Sequence, residues 1–189
     1  MIAEDIERVA ALIRQRNDID RQISAVIGRP VVSGHLAEWL ASQVFDIDLE
    51  VRANTRAIDG VFRSGPLRGR SVNIKGYGKQ ESMLDMTEAE GLDFYLVLTG
   101  PPADWTTSAA ATRPWCVDHV YLFDAPRLLG RLRARPQAPK IGVATSVAAQ
   151  YWREAEIYPA AVNPLLALTA EQAAALDCFR SAPAMPDEA

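Results

Sequence analysis

The length, composition and net charge of the chain indicate one globular domain. Its 189 residues fit a single domain, and 49% of them are hydrophobic, which allows a sizeable core and excludes a disordered chain. The net charge of −4 argues against strong binding to nucleic acid of any sequence.

The first residues and the two cysteines predict the compartment. Residues 1–5 contain two acids and begin a helical pattern, so we do not interpret them as a signal peptide. No apolar run approaches the roughly 20 residues of a membrane helix. Cys116 and Cys178 have no CxxC or CxxxH neighbourhood that would indicate zinc. We expect a cytoplasmic protein with both thiols reduced, and one disulfide between them stays open as an alternative.

Two helices are predicted at the start of the chain. In residues 2–27 the apolar side chains recur at steps of three and four, and Gly28 followed by Pro30 indicates where this helix ends. A second helix is predicted over residues 34–45, with Ser33 as its N-cap.

Strands are predicted in the centre of the chain. The turn-forming residues 64–69 connect two of them as a hairpin, and the apolar run at 94–98 is typical of a central strand. The strands are expected at residues 49–52, 57–62, 71–75, 94–98 and 116–123. The elements that follow are a helix at 125–135, an edge strand at 141–143, a short helix after Ser146 and a last helix at 168–179 with Thr169 as its N-cap.

This order of elements predicts an α/β (α+β) fold with a mixed central β-sheet flanked by helices. Residues 1–180 are expected to form a single domain that begins with the long helix. Residues 181–189 are expected to be a flexible C-terminal tail.

Half of the 20 basic residues lie in two windows that contain no acid. One interpretation is a pair of solvated faces, and the other is a local footprint for phosphate groups. The first window holds Arg63, Arg68, Arg70, Lys75 and Lys79. The second window holds Arg127, Arg131, Arg133, Arg135 and Lys140.

An acid in the predicted hairpin is the main candidate for chemistry. Asp59 stands between apolar residues of a strand, where acids are uncommon. Asn73 and Lys75 lie two apart on the next strand and therefore share a face. Asp59 can share that face only if it pairs opposite one of them, because a slip of one residue reverses the face. The alternatives are an edge acid paired with an arginine, an asparagine bonded to nearby backbone, and a lysine that extends into water.

An acid on one strand, a turn, and a polar-x-Lys sequence on the next strand resemble the PD-(D/E)XK nucleases, which include many restriction and repair endonucleases. Glu38, in the sequence GHLAEW, resembles the glutamate that the first helix of this family often adds to the site. The resemblance covers residues 34 to 100. The chain also resembles a group of small uncharacterised bacterial proteins with GH-x-x-EW, DG-x-F and VNIK sequences.

The resemblance implies a restriction-endonuclease-like fold and an Mg²⁺-dependent phosphodiesterase, with Mn²⁺ as a substitute and DNA as the expected nucleic acid. Asp59, Asn73 and the main-chain carbonyl of Ile74 would bind the metal. Lys75 would orient the attacking water or neutralise charge on the phosphate, and Glu38 would position metal or water. Four basic residues of the first window would contact phosphates of the nucleic acid, namely Arg63, Arg68, Arg70 and Lys79.

The chain departs from the family at Asn73, where the family has Asp or Glu. An amide oxygen can bind Mg²⁺ but brings no charge. Another acid then compensates, with Glu81 and Asp85 as candidates, or metal binding is weak, or catalysis is lost. The alternative function is a catalytically silent nuclease-fold module that binds nucleic acid or a protein partner, and an interaction protein with a chance motif is the third. A homodimer is plausible because double-strand cutters often use two active sites.

Overall fold

The computed structural model describes residues 2–50, 57–79, 82–101 and 114–181. Within these ranges the chain forms five helices and eight strands. The helices are α1 (Ile2–Ile27), α2 (Ser33–Phe45), α3 (Ala125–Arg133), α4 (Ala149–Ala155) and α5 (Ala170–Asp177). The strands are β1 (Ile47–Leu49), β2 (Gly60–Phe62), β3 (Ser71–Tyr77), β4 (Met83–Leu84), β5 (Phe94–Thr99), β6 (His119–Asp124), β7 (Thr145–Ser146) and β8 (Glu156–Tyr158).

A mixed sheet forms the centre of the fold, so the predicted mixed α and β architecture is confirmed. Its six strands follow the order β1-β2-β3-β5-β6-β8. Only β3 and β5 run parallel among these neighbours, and the other pairs are antiparallel. β4 and β7 form a separate two-stranded sheet.

The alternation of side chains along β3, β5 and β6 divides the core into two layers. On one face, strand residues such as Val72, Ile74 and Leu96 pack with apolar residues of α2 and α5. On the other face, Tyr95 and Val97 pack with residues of α3 and α4. The central sheet therefore lies between two layers of helices, as the sequence predicts.

A glycine allows α2 to approach β3 closely. A Cβ atom on Gly76 would lie 2.6 Å from the Cβ of Ala37 and 3.1 Å from the carbonyl oxygen of Ser33. Because a Cβ atom would clash there, any larger residue at this position would push the helix away from the strand. This contact brings the first turns of α2, including Glu38, to the strand that carries Asn73 and Lys75.

Several predicted boundaries differ from the structure. α1 has the predicted bounds, whereas Val32 and not Ser33 is the N-cap of α2, and its side chain makes no capping hydrogen bond. The edge strand predicted at 141–143 is wrong, since the short strand β7 starts at Thr145. Thr169 forms the predicted cap of α5, in a capping box with Gln172.

The structure also bears on the predictions about membrane helices and cysteines. Within the described ranges, no helix is long and apolar enough to cross a membrane. Cys116 is buried and Cys178 is exposed, and both are free thiols.

Ser181, the first residue of the predicted tail, is held by its N–H and hydroxyl groups, which donate to the carboxylate of Asp118 over 2.8 and 2.7 Å. The rest of that tail, residues 182–189, lies outside the described ranges.

Candidate active site

The β2–β3 hairpin brings Asp59 next to Asn73. In this antiparallel pair Gly60 lies opposite Val72, and Asp59 directly precedes β2. The Asp59 N–H donates to the carbonyl oxygen of Val72 over 2.9 Å, and the Ile74 N–H donates to Asp59 Oδ2 over 2.6 Å. Asp59 is therefore hydrogen-bonded to the residue on each side of Asn73, to Val72 through its main chain and to Ile74 through its side chain.

The backbone around Asp59 leaves the regular strand pattern. Ile58 packs with the layer of α3 and α4, whereas Phe62 packs with the layer of α2, although residues four apart on a regular strand share a face. Ala57 also has a φ of 74°, which non-glycine residues seldom adopt. Since strand N–H groups point along the sheet, the bond from Ile74 holds the Asp59 carboxylate at the edge of β3 rather than on one face.

Three charged residues act on Asp59, from α2, from β3 and from the segment that connects α1 with α2. Burial is the largest influence and raises the pKa of Asp59 above its ordinary value of 3.8, while the N–H of Ile74 lowers it. The negative charge of Glu38 raises the same pKa, and the positive charges of Lys75 and Arg29 lower it. The predicted residues Lys75 and Glu38 therefore each lie within electrostatic reach of Asp59, at the junction of α2, β2 and β3.

Arg29 is a member of this group that the sequence analysis missed. It follows the end of α1, and its guanidinium forms an ion pair with the carboxylate of Glu38. The side chain of Glu38 is 21% exposed and that of Arg29 is 40% exposed, so the pair is partly screened by water. The sequence offers no signal for this role beyond a basic residue beside a helix end.

Asn73 contains a buried oxygen atom without a partner in the described ranges. The residue is 4% exposed, and its Nδ2 donates to the carbonyl oxygen of Ala57 over 3.0 Å. Its Oδ1 accepts no hydrogen bond from any described residue. Because a buried polar atom without a partner is costly, this oxygen favours a water molecule or a cation beside it.

The oxygen atoms around Asn73 fit Mg²⁺ in type. Asp59 supplies a carboxylate and Asn73 an amide oxygen, both of which are ligands that Mg²⁺ accepts. The carbonyl of Ile74 points to the same side as its N–H, as in any strand, and therefore toward Asp59. Within the described ranges, no group of three His, Cys, Asp or Glu residues could hold a metal ion. The donor chemistry therefore fits, with less negative charge than the family pattern provides.

Of the two acids predicted to compensate for Asn73, the structure describes only Asp85, which is hydrogen-bonded to other residues. Glu81 lies outside the described ranges. The carboxylate of Asp85 accepts a hydrogen bond from the Ala144 N–H over 2.8 Å, and its own N–H donates to the Tyr77 hydroxyl over 2.9 Å. These bonds tie Asp85 to the loop before β7 and to the last residue of β3.

The basic residues of the first window differ in their contacts. Arg63 forms an ion pair with Asp46, with 2.8 Å from Nε to Oδ1, and Arg70 pairs with Asp93 over 2.9 Å. Their predicted phosphate contacts would thus compete with carboxylates of the chain. The side chain of the exposed Arg68 forms no hydrogen bond or ion pair with any described residue, and Lys79 lies two residues beyond β3.

The second window supports the interpretation as a solvated face. Arg131 pairs with Glu154 and stacks on the ring of Tyr151, with 3.8 Å between the guanidinium carbon and the ring centre. Arg133 pairs with Glu88 over 2.6 Å. These contacts pair two of the five basic residues of this window with carboxylates of the chain.

No model of a known protein family matches this chain, and no curated protein matches its sequence. The interpretation of the site therefore depends on its own residues.

Proposed function

We propose that this protein is a metal-dependent phosphodiesterase of the endonuclease type, with a restriction-endonuclease-like fold and DNA as the expected substrate. One observation carries the proposal. Lys75 and Glu38 each lie within electrostatic reach of Asp59 where β2 meets β3, and Asn73 has a buried oxygen without a described partner. Mixed sheets with helices on both faces host many functions, so the site and not the fold is the argument.

Asp59, Asn73 and the Ile74 carbonyl are the residues that would hold Mg²⁺ or Mn²⁺. A bound Mg²⁺ would lower the pKa of a water molecule and neutralise charge on the phosphate. Asp59 suits a cation because burial and the Glu38 charge both disfavour its carboxylate form. A positive ion beside it would offset both effects.

Lys75 is the residue that would act on the phosphate. It is half-buried, and its ammonium lies close enough to Asp59 to lower the pKa of that carboxyl group. There it would bind a phosphate oxygen or orient the attacking water. Glu38, held by Arg29, would orient the water from the side of α2. Arg68, on the exposed turn before β3, is the strongest candidate for an additional phosphate contact, ahead of Arg63, Arg70 and Lys79.

The second candidate function is a catalytically silent module of the same fold that binds nucleic acid or a protein partner. The observation that favours it is the amide of Asn73 in place of a carboxylate. Because no third acid joins Asp59 and Glu38 in the described ranges, a metal would bind with little charge compensation. Such a module would keep Lys75 and Arg68 as phosphate contacts without hydrolysis.

Cleavage of supercoiled plasmid DNA distinguishes the two functions. The wild-type protein is incubated with Mg²⁺, Mn²⁺ or EDTA, beside Lys75→Ala and Lys140→Ala, the latter an exposed lysine of the second window. We expect metal-dependent nicking that Lys75→Ala slows by about 10²–10⁴-fold and that Lys140→Ala leaves unchanged. Cleavage that Lys75→Ala does not affect would contradict the proposed site. DNA binding without cleavage would support the silent module.

A further inference from the structure

The long helix α1 exposes apolar side chains outside both core layers. It comprises 26 residues and is therefore about 39 Å long. Neither of the two core clusters includes a residue of α1. Ile6, Val9 and Ile13 are each more than half exposed. An apolar face of this length on a charged helix indicates a surface that another protein covers.

The apolar residues of α1 follow a heptad pattern with two charges at its centre. From Ile6 to Ile27 the steps alternate between three and four residues, which is the spacing of a coiled-coil seam. The members of this α1 seam are Ile6, Val9, Ile13, Arg16, Asp20, Ile23 and Ile27. The seam is thus apolar at both ends, with a basic and an acidic residue between.

The two central charges determine which orientation of two α1 helices is favourable. In a parallel pair equivalent residues face each other, so Arg16 would meet Arg16 and Asp20 would meet Asp20. In an antiparallel pair Arg16 faces Asp20 of the second helix, and the two contacts are repeated by symmetry. Within one chain Arg16 Nε already lies 3.6 Å from Asp20 Oδ2, so both side chains are oriented along the seam.

The same antiparallel register matches the apolar residues. Val9 faces Ile27 of the second helix, and Ile13 faces Ile23. Leu12, Ile19 and Val26 recur every seven residues on one flank of the seam and are exposed. In an antiparallel pair this flank lies against the same flank of the second helix, whereas in a parallel pair it would meet the opposite flank, which contains Asn17 and Ser24.

We propose that α1 docks antiparallel against α1 of a second copy of this chain and forms a homodimer. The surface is self-complementary in both its charges and its apolar residues, as a two-fold interface requires. The rest of each chain, which carries the central sheet, follows the C-terminal end of α1. In the antiparallel dimer the two sheets therefore lie at opposite ends of the helix pair. This dimer does not depend on the proposed phosphodiesterase activity.

Sedimentation velocity on the full chain, with two charge reversals, tests this dimer. Arg16→Asp gives a seam with two acids, and Asp20→Arg gives a seam with two basic residues. We expect the wild type to dimerise in the micromolar range, and each variant alone to have a dimer dissociation constant raised by about ten-fold or more. An equimolar mixture of the two variants should dimerise again, because each acid then faces a basic residue of the other chain.

The mixture also separates a contact between chains from one within a chain. Each variant keeps its own like-charged pair at positions 16 and 20 after mixing, so a purely intrachain effect on α1 would not be rescued. Circular dichroism verifies that both variants keep the helix. A monomeric wild type, variants that dimerise as well as wild type, or a mixture that stays monomeric would each overturn the proposal.

Discussion

Two neighbouring positions of strand β3, Ser71 and Asn73, treat their polar groups in opposite ways. At its start, the buried Ser71 donates from its N–H to Asp93 Oδ2 over 2.8 Å and from its hydroxyl to the carbonyl oxygen of Gly91 over 2.5 Å. The Asp93 N–H donates back to the Ser71 hydroxyl over 2.8 Å, and Arg70 pairs with the carboxylate of Asp93 over 2.9 Å. This end forms a closed network of hydrogen bonds.

Two residues further along β3 the network is incomplete. Asn73 keeps a buried oxygen without a partner in the described ranges. Asp59 has one main-chain hydrogen bond to its carboxylate and a pKa that burial raises. An acid thus lies beside β3 at each of these two positions, Asp93 at Ser71 and Asp59 at Asn73, but of the two only Asp93 forms an ion pair with an adjacent arginine. An acid that the fold leaves poorly compensated is a candidate for function, whereas a fully bonded one stabilises the fold.

Exchange of Asp59 or Asp93 for the corresponding amide gives the largest predicted difference between the two positions of β3. Asp59→Asn should reduce metal-dependent cleavage by about 10²-fold or more with little loss of stability, since the amide oxygen can still accept from Ile74. Asp93→Asn should reduce the free energy of unfolding by about 1–3 kcal/mol, because the ion pair with Arg70 is lost, and should leave cleavage unchanged. Urea unfolding and plasmid cleavage of both variants measure the two effects.

Each variant serves as the control for the other. If Asp59→Asn destabilised the protein as much as Asp93→Asn does, Asp59 would be a structural acid like its counterpart. If Asp93→Asn abolished cleavage while the protein stayed folded, the division into a functional Asp59 and a structural Asp93 would be wrong.

The sequence predicted the strand that carries the site because its pattern is local. Alternation of Val72, Asn73, Ile74 and Lys75 determines which residues are buried with α2, and the turn before β3 fixes the hairpin. Glu38 could be placed at the border of the apolar face of α2 from the helical period alone, and its 21% exposed side chain agrees. These features depend only on residues close together in the chain.

Other features depend on contacts that no local pattern encodes. Arg29 lies just beyond the end of α1 and reaches Glu38, nine residues later, because the chain turns there, which spacing alone does not reveal. The break in alternation at Asp59 arises from packing of Ile58 against the opposite layer. The pairing of Arg63 with Asp46 joins residues that the sequence assigns to separate elements. The sequence alone therefore overestimates how many basic residues of the two windows are available to bind phosphate.

Asn73→Asp should give an intermediate effect, on metal affinity. The change adds the carboxylate that the nuclease pattern has at this position, so we expect Mn²⁺ to bind about ten-fold more tightly. Without metal, the free energy of unfolding should fall by about 1–3 kcal/mol, because a carboxylate cannot donate to the carbonyl oxygen of Ala57. Calorimetric titration with Mn²⁺ and urea unfolding with and without the metal measure both changes.

Ser71→Ala is the matched control for Asn73→Asp at the start of β3. It should cost stability through the lost hydroxyl contacts with Asp93 and Gly91, and it should leave Mn²⁺ affinity unchanged. Equal Mn²⁺ affinity in wild type and Asn73→Asp would place the metal away from β3.

The smallest predicted effect is a change in how Asp59 titrates. The pKa of Asp59 is raised above 3.8 in the folded protein. Between 3.8 and this raised pKa, the folded state therefore binds more protons than the unfolded state. The free energy of unfolding therefore decreases as pH rises through that window, and the contribution is present only below it. Asp59→Asn should remove this component, while the acids Asp46 and Glu154, whose pKa values are lowered, contribute equally to both proteins.

Substitution of the two charged neighbours should move this titration in opposite directions. Glu38→Gln removes a negative charge that raises the pKa of Asp59, and Lys75→Ala removes a positive charge that lowers it. NMR titration of the Asp59 carboxyl carbon from about pH 3 to pH 8 should therefore show a lower pKa in the first variant and a higher pKa in the second. Opposite shifts require that Glu38 on α2 and Lys75 on β3 both lie near Asp59. Shifts of the same sign in folded variants would show that they do not.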